Sequence, residues 1–459
     1  MAELAGKLEF GAVEAKVGQV PDAPRTLGEM VKWLGPGLAL AAVLIGSGET
    51  VLSPWVGAQV GMVFVWVIWA ALLMKWFMNE LVGRYTLVTG ETIYEGFTKV
   101  PGPRGWAAHV NAVTNYGKIC FTYGSIISLT GQVIQFVTGW SLQVSVIVAV
   151  VTALVALLTG KFDVISSILA FLVGVMIIFA VYAGVVAIGA LSFGTWISGF
   201  VPNLGNDSNR WLIMGMYGYV GGATSNTLYS WWIKDKRMGA VALKDAGQPI
   251  EMTPTNVDRL SRWMRLMHID LGNGYFWTAA ISIVFYTAAA AFLQPKGLVA
   301  QGLKAIQINS QIWSQISTFG VALYLAGVFA ALWTSISGQW DGSARSMVDW
   351  WEIFVTKRPL SERGKYWTYL IFVAFFVVGG LATAILVSSP VQMIALFAIV
   401  DTLGYLIATA ALAWLCRTRV PKQFQITGLW YGFVMLCIIV YIAFAVTDVG
   451  PQLPKLLNF

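Results

Sequence analysis

The sequence predicts an all-α membrane protein with eleven transmembrane helices, arranged as two halves of five helices and one extra helix. Three observations support this fold class. Only 11% of the 459 residues are charged and 57% are hydrophobic, whereas soluble domains carry about 25% charged residues. Apolar runs of spanning length recur along the chain. Lysine and arginine cluster in alternate loops, as is typical of a polytopic membrane protein.

Each predicted span is long enough to cross a hydrocarbon core of about 30 Å at 1.5 Å per residue. The eleven spans lie at roughly 34–58, 61–83, 108–138, 142–160, 163–187, 210–233, 267–293, 313–340, 367–388, 390–415 and 426–447. They form one transmembrane domain, 34–447, with a first half at 34–187, a second half at 210–415 and the extra helix at 426–447. Segments 1–33 and 448–459 flank this domain.

The distribution of positive charge predicts the topology. With the N-terminus in the cytoplasm, 23 of the 29 Lys and Arg residues fall in inside segments and 4 fall outside. The remaining two, Lys75 and Lys118, lie within spans. We therefore expect a cytoplasmic N-terminal segment and an extracellular or periplasmic C-terminal tail in the plasma (inner) membrane. The net charge of +7 is then a topology signal and implies no nucleic-acid partner.

Other chemical signals are weak. The cysteines Cys120, Cys416 and Cys437 lie singly in apolar segments, which is typical of small buried residues rather than a disulfide or metal set. Residues 1–32 show no cleavable signal pattern. Because no nucleophile–base pair or phosphate-binding loop stands out, an enzyme is not expected.

Two spans that hold corresponding places in the two halves are interrupted at mid-membrane. Span 1 carries Gly46, Ser47, Gly48 and Glu49, and span 6 carries Gly221 and Gly222 followed by Thr224, Ser225, Asn226 and Thr227. Glycine weakens a helix, and backbone groups freed at membrane depth are tolerated where they line a cavity. Paired interruptions point to the substrate site of a secondary transporter. If only one span carried such glycines, close helix packing of small residues would explain them equally well.

These residues resemble the NRAMP divalent-metal transporters of the leucine-transporter fold superfamily, which implies an inverted repeat of five plus five helices with discontinuous helices 1 and 6. The similarity is loose over spans 1 to 10. It is best in span 1, at Val88-Thr89-Gly90-Glu91 and at Leu228-Tyr229. The count of eleven spans also agrees with the family.

The chain departs from the family at the metal-binding positions. Gly46 to Glu49 replace the family's Asp-Pro-Gly-Asn, and Thr224, Ser225 and Asn226 replace its Met-Pro-His. Transition-metal selectivity relies on soft sulfur or imidazole ligands, and neither is present at these positions. The resemblance therefore implies a divergent branch, similar to NRAMP-related bicarbonate transporters, rather than a Mn²⁺ or Fe²⁺ carrier.

Span 8 carries the adjacent pair Thr334 and Ser335. Sodium-coupled members of the superfamily bind Na⁺ with such a pair, so the resemblance implies a Na⁺ site formed by these hydroxyls and by carbonyls from Leu44 to Ser47. Hydroxyls that bond back to the preceding turn of their own helix are the alternative. Apart from Na⁺ as coupling ion, no cofactor is implied.

Four ionisable residues, Glu49, Lys75, Lys118 and Asp401, fall within spans, where a charge costs at least about 2.5 kcal/mol. They are expected to pair with each other or with Glu80, or to line the pathway. Positive half-helix ends and the hydroxyls that follow Gly222 favour a small oxyanion. We therefore expect Na⁺-coupled uptake of bicarbonate or a similar ion by alternating access.

Glu49 is the main difficulty for an anionic substrate. The second hypothesis is therefore partly hydrated Mg²⁺ with Glu49 as a hard-oxygen contact, and Mn²⁺ is the third. Composition does not exclude a channel, although the matched breaks favour a carrier. The expected partners are a small inorganic ion and membrane lipid, and the sequence leaves the oligomeric state open, a monomer included.

Overall fold

The computed structural model describes residues 17–26, 29–30, 40, 42–158, 162–206, 208–300, 302–315, 317–386, 389–444 and 446–447. The predicted tail 448–459, most of segment 1–33 and the beginning of span 1 lie outside the described residues.

The predicted membrane domain is helical. Its principal helices are α1 (Ser53–Val60), α2 (Val65–Thr89), α3 (Trp106–Lys118), α4 (Gly124–Thr138), α5 (Leu142–Leu157), α6 (Phe162–Gly189), α7 (Trp211–Tyr219), α8 (Tyr229–Asp235), α9 (Pro254–Phe292), α10 (Ala305–Ser314), α11 (Thr318–Trp350), α12 (Glu362–Leu386), α13 (Pro390–Thr418) and α14 (Gly428–Phe444). π-Helical turns precede α1 at Gly48–Leu52 and join α3 to α4 at Ile119–Tyr123.

Local sequence signals fix several helix ends. The Ser141 hydroxyl caps α5 by accepting a hydrogen bond from the Val144 N–H, and Pro254 begins α9 at a position where no N–H is required. Gly90 ends α2 in the left-handed region at φ 69°, which only glycine adopts without strain.

Among the described residues, seven helices are long and apolar enough to cross a membrane, and two shorter apolar helices, Leu142–Leu157 and Gly428–Ala443, accompany them. The count of eleven spans stays a prediction. Two helices extend beyond the predicted spans, because α9 begins at Pro254 rather than 267 and α11 continues to Trp350 rather than 340. Hydropathy detects the part of a helix that faces lipid, and a helix can continue past it into water.

Both predicted interruptions are present and lie in the interior. In span 1 the helix bends at Ile45 and Gly46, where a side chain on Gly46 would overlap the Ser335 hydroxyl. In span 6, α7 ends at Tyr219, and the backbone is unwound until the 3₁₀ turn Thr224–Leu228. The π-helical turn Gly48–Leu52 that follows the bend in span 1 packs against α7 and α9. The 3₁₀ turn Thr224–Leu228 of span 6 packs against α2, α3, α11 and α13. The packing thus brings the two breaks together at the centre of the bundle.

Candidate functional site

The buried ammonium group of Lys75, on α2, takes two of the carbonyl groups freed at the break of helix 6. Its Nζ donates hydrogen bonds to Gly218 O at 3.1 Å and to Val220 O at 2.6 Å. The sequence suggested Glu80, Glu49 or Asp401 as partners. In the structure Lys75 instead binds backbone carbonyls at the C-terminal end of α7, where the helix dipole is negative.

Asn226 and Thr227 also serve the backbone of the break. Asn226 Nδ2 donates to the carbonyls of Gly221 and Ala223, each at 3.0 Å, and Thr227 Oγ1 donates to Thr224 O at 2.6 Å. The sequence placed both side chains in the substrate site. Neither is among the residues that line the cavity described below, because unwound backbone at membrane depth needs its own partners.

Glu49 bridges the two broken helices. One carboxylate oxygen accepts from the Gly46 N–H at 2.8 Å and the other accepts from the Gly221 N–H at 2.9 Å. The side chain is 1% exposed. We expected the backbone N–H groups at the breaks to bind a substrate anion. Two of them, those of Gly46 and Gly221, instead bind the carboxylate of Glu49.

Asp401, on α13, caps the second half of helix 6 and pairs with Lys118. It accepts from the backbone N–H of Thr224 at 3.4 Å and from the Thr224 hydroxyl. Lys118 Nζ lies 2.7 Å from Asp401 Oδ2 and donates to Ser225 Oγ at 2.7 Å. The structure thus joins Lys118 and Asp401 to the run that follows Gly222. Thr224, which the sequence also placed in the substrate site, is not among the residues that line the cavity.

A polar network behind Ser225 was missed at the sequence level. Ser225 Oγ donates to Gln339 Oε1 at 2.8 Å, and Tyr123 OH donates to the same oxygen at 3.2 Å. Gln339 Nε2 donates to Asn115 Oδ1 at 2.8 Å. Helical spacing was the available signal, because Asn115 precedes Lys118 by one turn on the same face.

The hydroxyls of Thr334 and Ser335 lie against span 1. Thr334 Oγ1 is 3.0 Å from Ala42 O, and Ser335 Oγ is 3.3 Å from Val43 O. The sequence expected carbonyls from residues 44–47. The observed partners lie earlier because the bend at residues 45–46 leaves the carbonyls of the preceding turn without their usual N–H partners. Hydroxyl and carbonyl oxygens are hard donors of the kind that alkali cations prefer.

A cavity of about 40 Å³ lies between the breaks. Since a single water needs roughly 10–15 Å³ on such a scale, the cavity holds one small ion or a few waters. Its polar wall includes Ser47, Glu49, Lys118, Thr122, Ser225 and Asp401, with the backbone of Gly46, Gly48 and Gly222. Thr122 Oγ1 is buried and has no hydrogen-bond partner within the part of the chain that the structure describes.

The donor set does not suit a transition metal. No group of three His, Cys, Asp or Glu side chains that could hold a metal ion occurs among the described residues. The cavity wall contains hydroxyls, backbone, two carboxylates and an ammonium group, whereas thioether and imidazole ligands favour those metals.

Comparison with known proteins identifies relatives of this architecture. A family model described as Natural resistance-associated macrophage protein-like (Nramp) matches residues 37–449. No curated protein matches the chain.

Solved structures match over nearly the full length. A glutamate-to-glutamine mutant of the Eremococcus coleocola manganese transporter is 13% identical, with 96% of this chain and 91% of that chain covered and a TM-score of 0.67. MhsT in complex with L-phenylalanine is 12% identical, with 90% of this chain and 98% of that chain covered and a TM-score of 0.61. These matches establish an all-helical membrane fold of the leucine-transporter type.

Proposed function

The chain belongs to the Nramp family, and on that premise we propose that it carries bicarbonate, or a similarly small oxyanion, together with Na⁺. The family consists of secondary transporters of small ions, so the chain is a transporter and not an enzyme. In the proposed mechanism, alternating access exposes the cavity between the broken helices first to one side of the membrane and then to the other.

The position of Lys118 is the observation that carries the choice of an anion. Its ammonium group lies in the cavity wall and has three N–H donors. Asp401 and Ser225 take two of them. The third donor and the unpartnered hydroxyl of Thr122 suit an oxyanion that accepts hydrogen bonds. A bare cation in the same place would meet like-charge repulsion from Lys118.

The Na⁺ site is proposed at Thr334 and Ser335. Two hydroxyls and the adjacent carbonyls of Ala42 and Val43 supply hard oxygen atoms without a formal charge. Span 1 forms one side of this site and also one wall of the cavity. A bound Na⁺ ion would therefore hold the half of span 1 that contacts the anion.

Mg²⁺ is the second candidate because Glu49 and Asp401 both line the cavity and carboxylates suit this ion. Both carboxylates are already engaged, one by two backbone N–H groups and the other by Lys118. Mn²⁺ is the third candidate, disfavoured because no His, Cys or Met side chain is among the described residues of the cavity wall.

The test uses purified protein in liposomes with an imposed Na⁺ gradient. One arm follows labelled bicarbonate and internal pH, and the other follows Mg²⁺ and Mn²⁺ with fluorescent indicators inside the vesicles. We expect bicarbonate uptake that depends on Na⁺ and saturates, with no metal signal. Metal uptake that does not depend on Na⁺ would refute the proposal, and a flux that does not saturate would indicate a channel.

A further inference from the structure

Lys75 contributes a buried positive charge that the proposed transport mechanism leaves unused. The residue is 0% exposed. Its Nζ lies 5.2 Å from the centre of the Tyr217 ring, in addition to its bonds with Gly218 O and Val220 O. A lysine at such depth is costly, and ionisable residues within spans usually mark a functional site.

The charges around the cavity balance only when Lys75 is included. Among the described residues, three side chains of acidic or basic type line the cavity, namely Glu49, Lys118 and Asp401, and their formal charges leave one excess negative charge. Lys75 does not line the cavity. It donates a hydrogen bond to the carbonyl oxygen of Gly218, and Gly218 does line the cavity. With Lys75 the formal charges of the four side chains sum to zero.

We propose that Lys75 is the counter-charge that makes the empty site neutral, so that one Na⁺ moves with each monovalent anion and the cycle is electroneutral. This inference rests on the proposed function, since it takes Na⁺ and an oxyanion as the cargo. The Na⁺ ligands are uncharged hydroxyls and carbonyls, so a site loaded with both ions is also neutral. Neither the loaded nor the empty site then carries net charge through the membrane field.

An uncompensated charge has a measurable consequence. One elementary charge that crosses the whole field gains or loses enough energy per 100 mV to change a population by up to about 50-fold. A site that lacks Lys75 carries one excess negative charge when empty, so its return step becomes sensitive to voltage. Lys75 therefore acts as a positioning residue, through charge and through the α7 carbonyls rather than by contact with substrate.

The experiment measures Na⁺-driven uptake of labelled bicarbonate in liposomes whose potential is set by a K⁺ gradient and valinomycin. We expect the wild-type rate to be the same at potentials of either sign, and labelled Na⁺ to enter in a ratio of one per bicarbonate. The Lys75→Met variant, which keeps the side-chain length, should show uptake that changes several-fold with potential.

Two further variants separate charge from packing. Lys75→Arg keeps the charge and should remain insensitive to potential. The double variant Lys75→Met with Glu49→Gln restores a neutral sum and should lose the voltage dependence of the single variant, whatever its absolute rate. A merely structural role for Lys75 predicts slower uptake in all variants without any effect of potential.

The outcomes distinguish this inference from the function on which it rests. Wild-type bicarbonate uptake that depends on Na⁺ but varies several-fold with potential supports the function and overturns the charge balance, even if no variant folds. If no bicarbonate uptake occurs at any potential, the proposed bicarbonate transport is refuted. The proposed ratio of one Na⁺ per bicarbonate is then refuted as well.

Discussion

At the scale of single residues, the hydroxyl of Thr334 links two helices. Oγ1 lies 3.1 Å from Ala331 O in its own helix and 3.0 Å from Ala42 O in span 1. Thr334→Ala removes one proposed Na⁺ ligand. We expect the free energy of Na⁺ binding to weaken by about 1.4 kcal/mol, near the contribution of one hydrogen bond. The Na⁺ concentration for half-maximal uptake should then rise about tenfold. Uptake measured against Na⁺ concentration tests this.

Ser337 provides the matched control on the same helix. Its hydroxyl donates to Trp333 O at 2.9 Å, within its own helix, so Ser337→Ala should leave the Na⁺ requirement unchanged. If Thr334→Ala and Ser337→Ala behave alike, the proposed Na⁺ site is misplaced.

The ion pair of Lys118 and Asp401 has both a structural and a proposed binding role. Removing one partner of a buried pair leaves an uncompensated charge and costs about 3–5 kcal/mol, so Lys118→Met should lower the thermal unfolding temperature strongly. The double variant Lys118→Met with Asp401→Asn removes both charges and should recover much of that stability. It should not recover bicarbonate uptake, because Lys118 also supplies a donor to the cavity.

Thermal unfolding in detergent and uptake in liposomes measure the two roles separately. Transport at the wild-type rate by the stable double variant would show that the pair is purely structural.

At the scale of elements, the break of helix 6 depends on glycine. Gly221 has φ 68°, and a side chain there would overlap Leu72. The left-handed backbone alone costs other residues about 1–2 kcal/mol, so Gly221→Ala should lower the free energy of unfolding by at least that amount. Gly215→Ala, in the preceding α7 with no atom within 4 Å of the added carbon, should be neutral or stabilising by about 0.5–1 kcal/mol. Equal thermal stability of the two variants would contradict the requirement for glycine at the break.

The sequence could predict the breaks because glycine and polar residues at mid-membrane are an unusual local pattern. It could not predict which polar side chains of the break face the cavity, since that depends on how far the chain unwinds. Asn226 and Thr227 follow Ser225 directly, yet only Ser225 lines the cavity. Glu49 was expected to repel an anion, and the structure shows it held by N–H groups from both breaks. That contact joins residues from opposite halves, so spacing along the chain could not reveal it.

At the scale of the whole molecule, one buried carboxylate joins three segments of the chain at one end of the bundle. Asp349, on α11, accepts from the Thr92 hydroxyl at 2.5 Å and from Trp231 Nε1 at 3.3 Å, and it lies 3.3 Å from Lys234 Nζ. These contacts join α11, α8 and the segment after α2. For the proposed alternating access, we expect these contacts to break when this end of the bundle opens.

The Asp349→Asn variant should therefore favour the state that is open at this end. In a background without Cys120, Cys416 and Cys437, Ser343→Cys lies between Asp349 and the cavity and reports access. We expect a water-soluble thiol reagent to label it several-fold faster when Asp349→Asn is added. The control is Glu362→Gln, which removes a surface ion pair with Lys365 on α12 and should not change labelling. Equal rates for Asp349→Asn and this control would exclude a role in closure.

The contact of Lys75 with the α7 backbone also constrains how the protein is made. Lys75 enters the membrane with α2, but Gly218 is 143 residues further along the chain. A lysine at the centre of a newly inserted helix costs about 2.5–3.5 kcal/mol, and this cost persists until α7 is synthesised and docks. We therefore expect the first half of the molecule to depend on α7 for the carbonyl partners of Lys75. A nascent chain that stops before α7 lacks these partners, and we expect it to be degraded faster than the full-length chain.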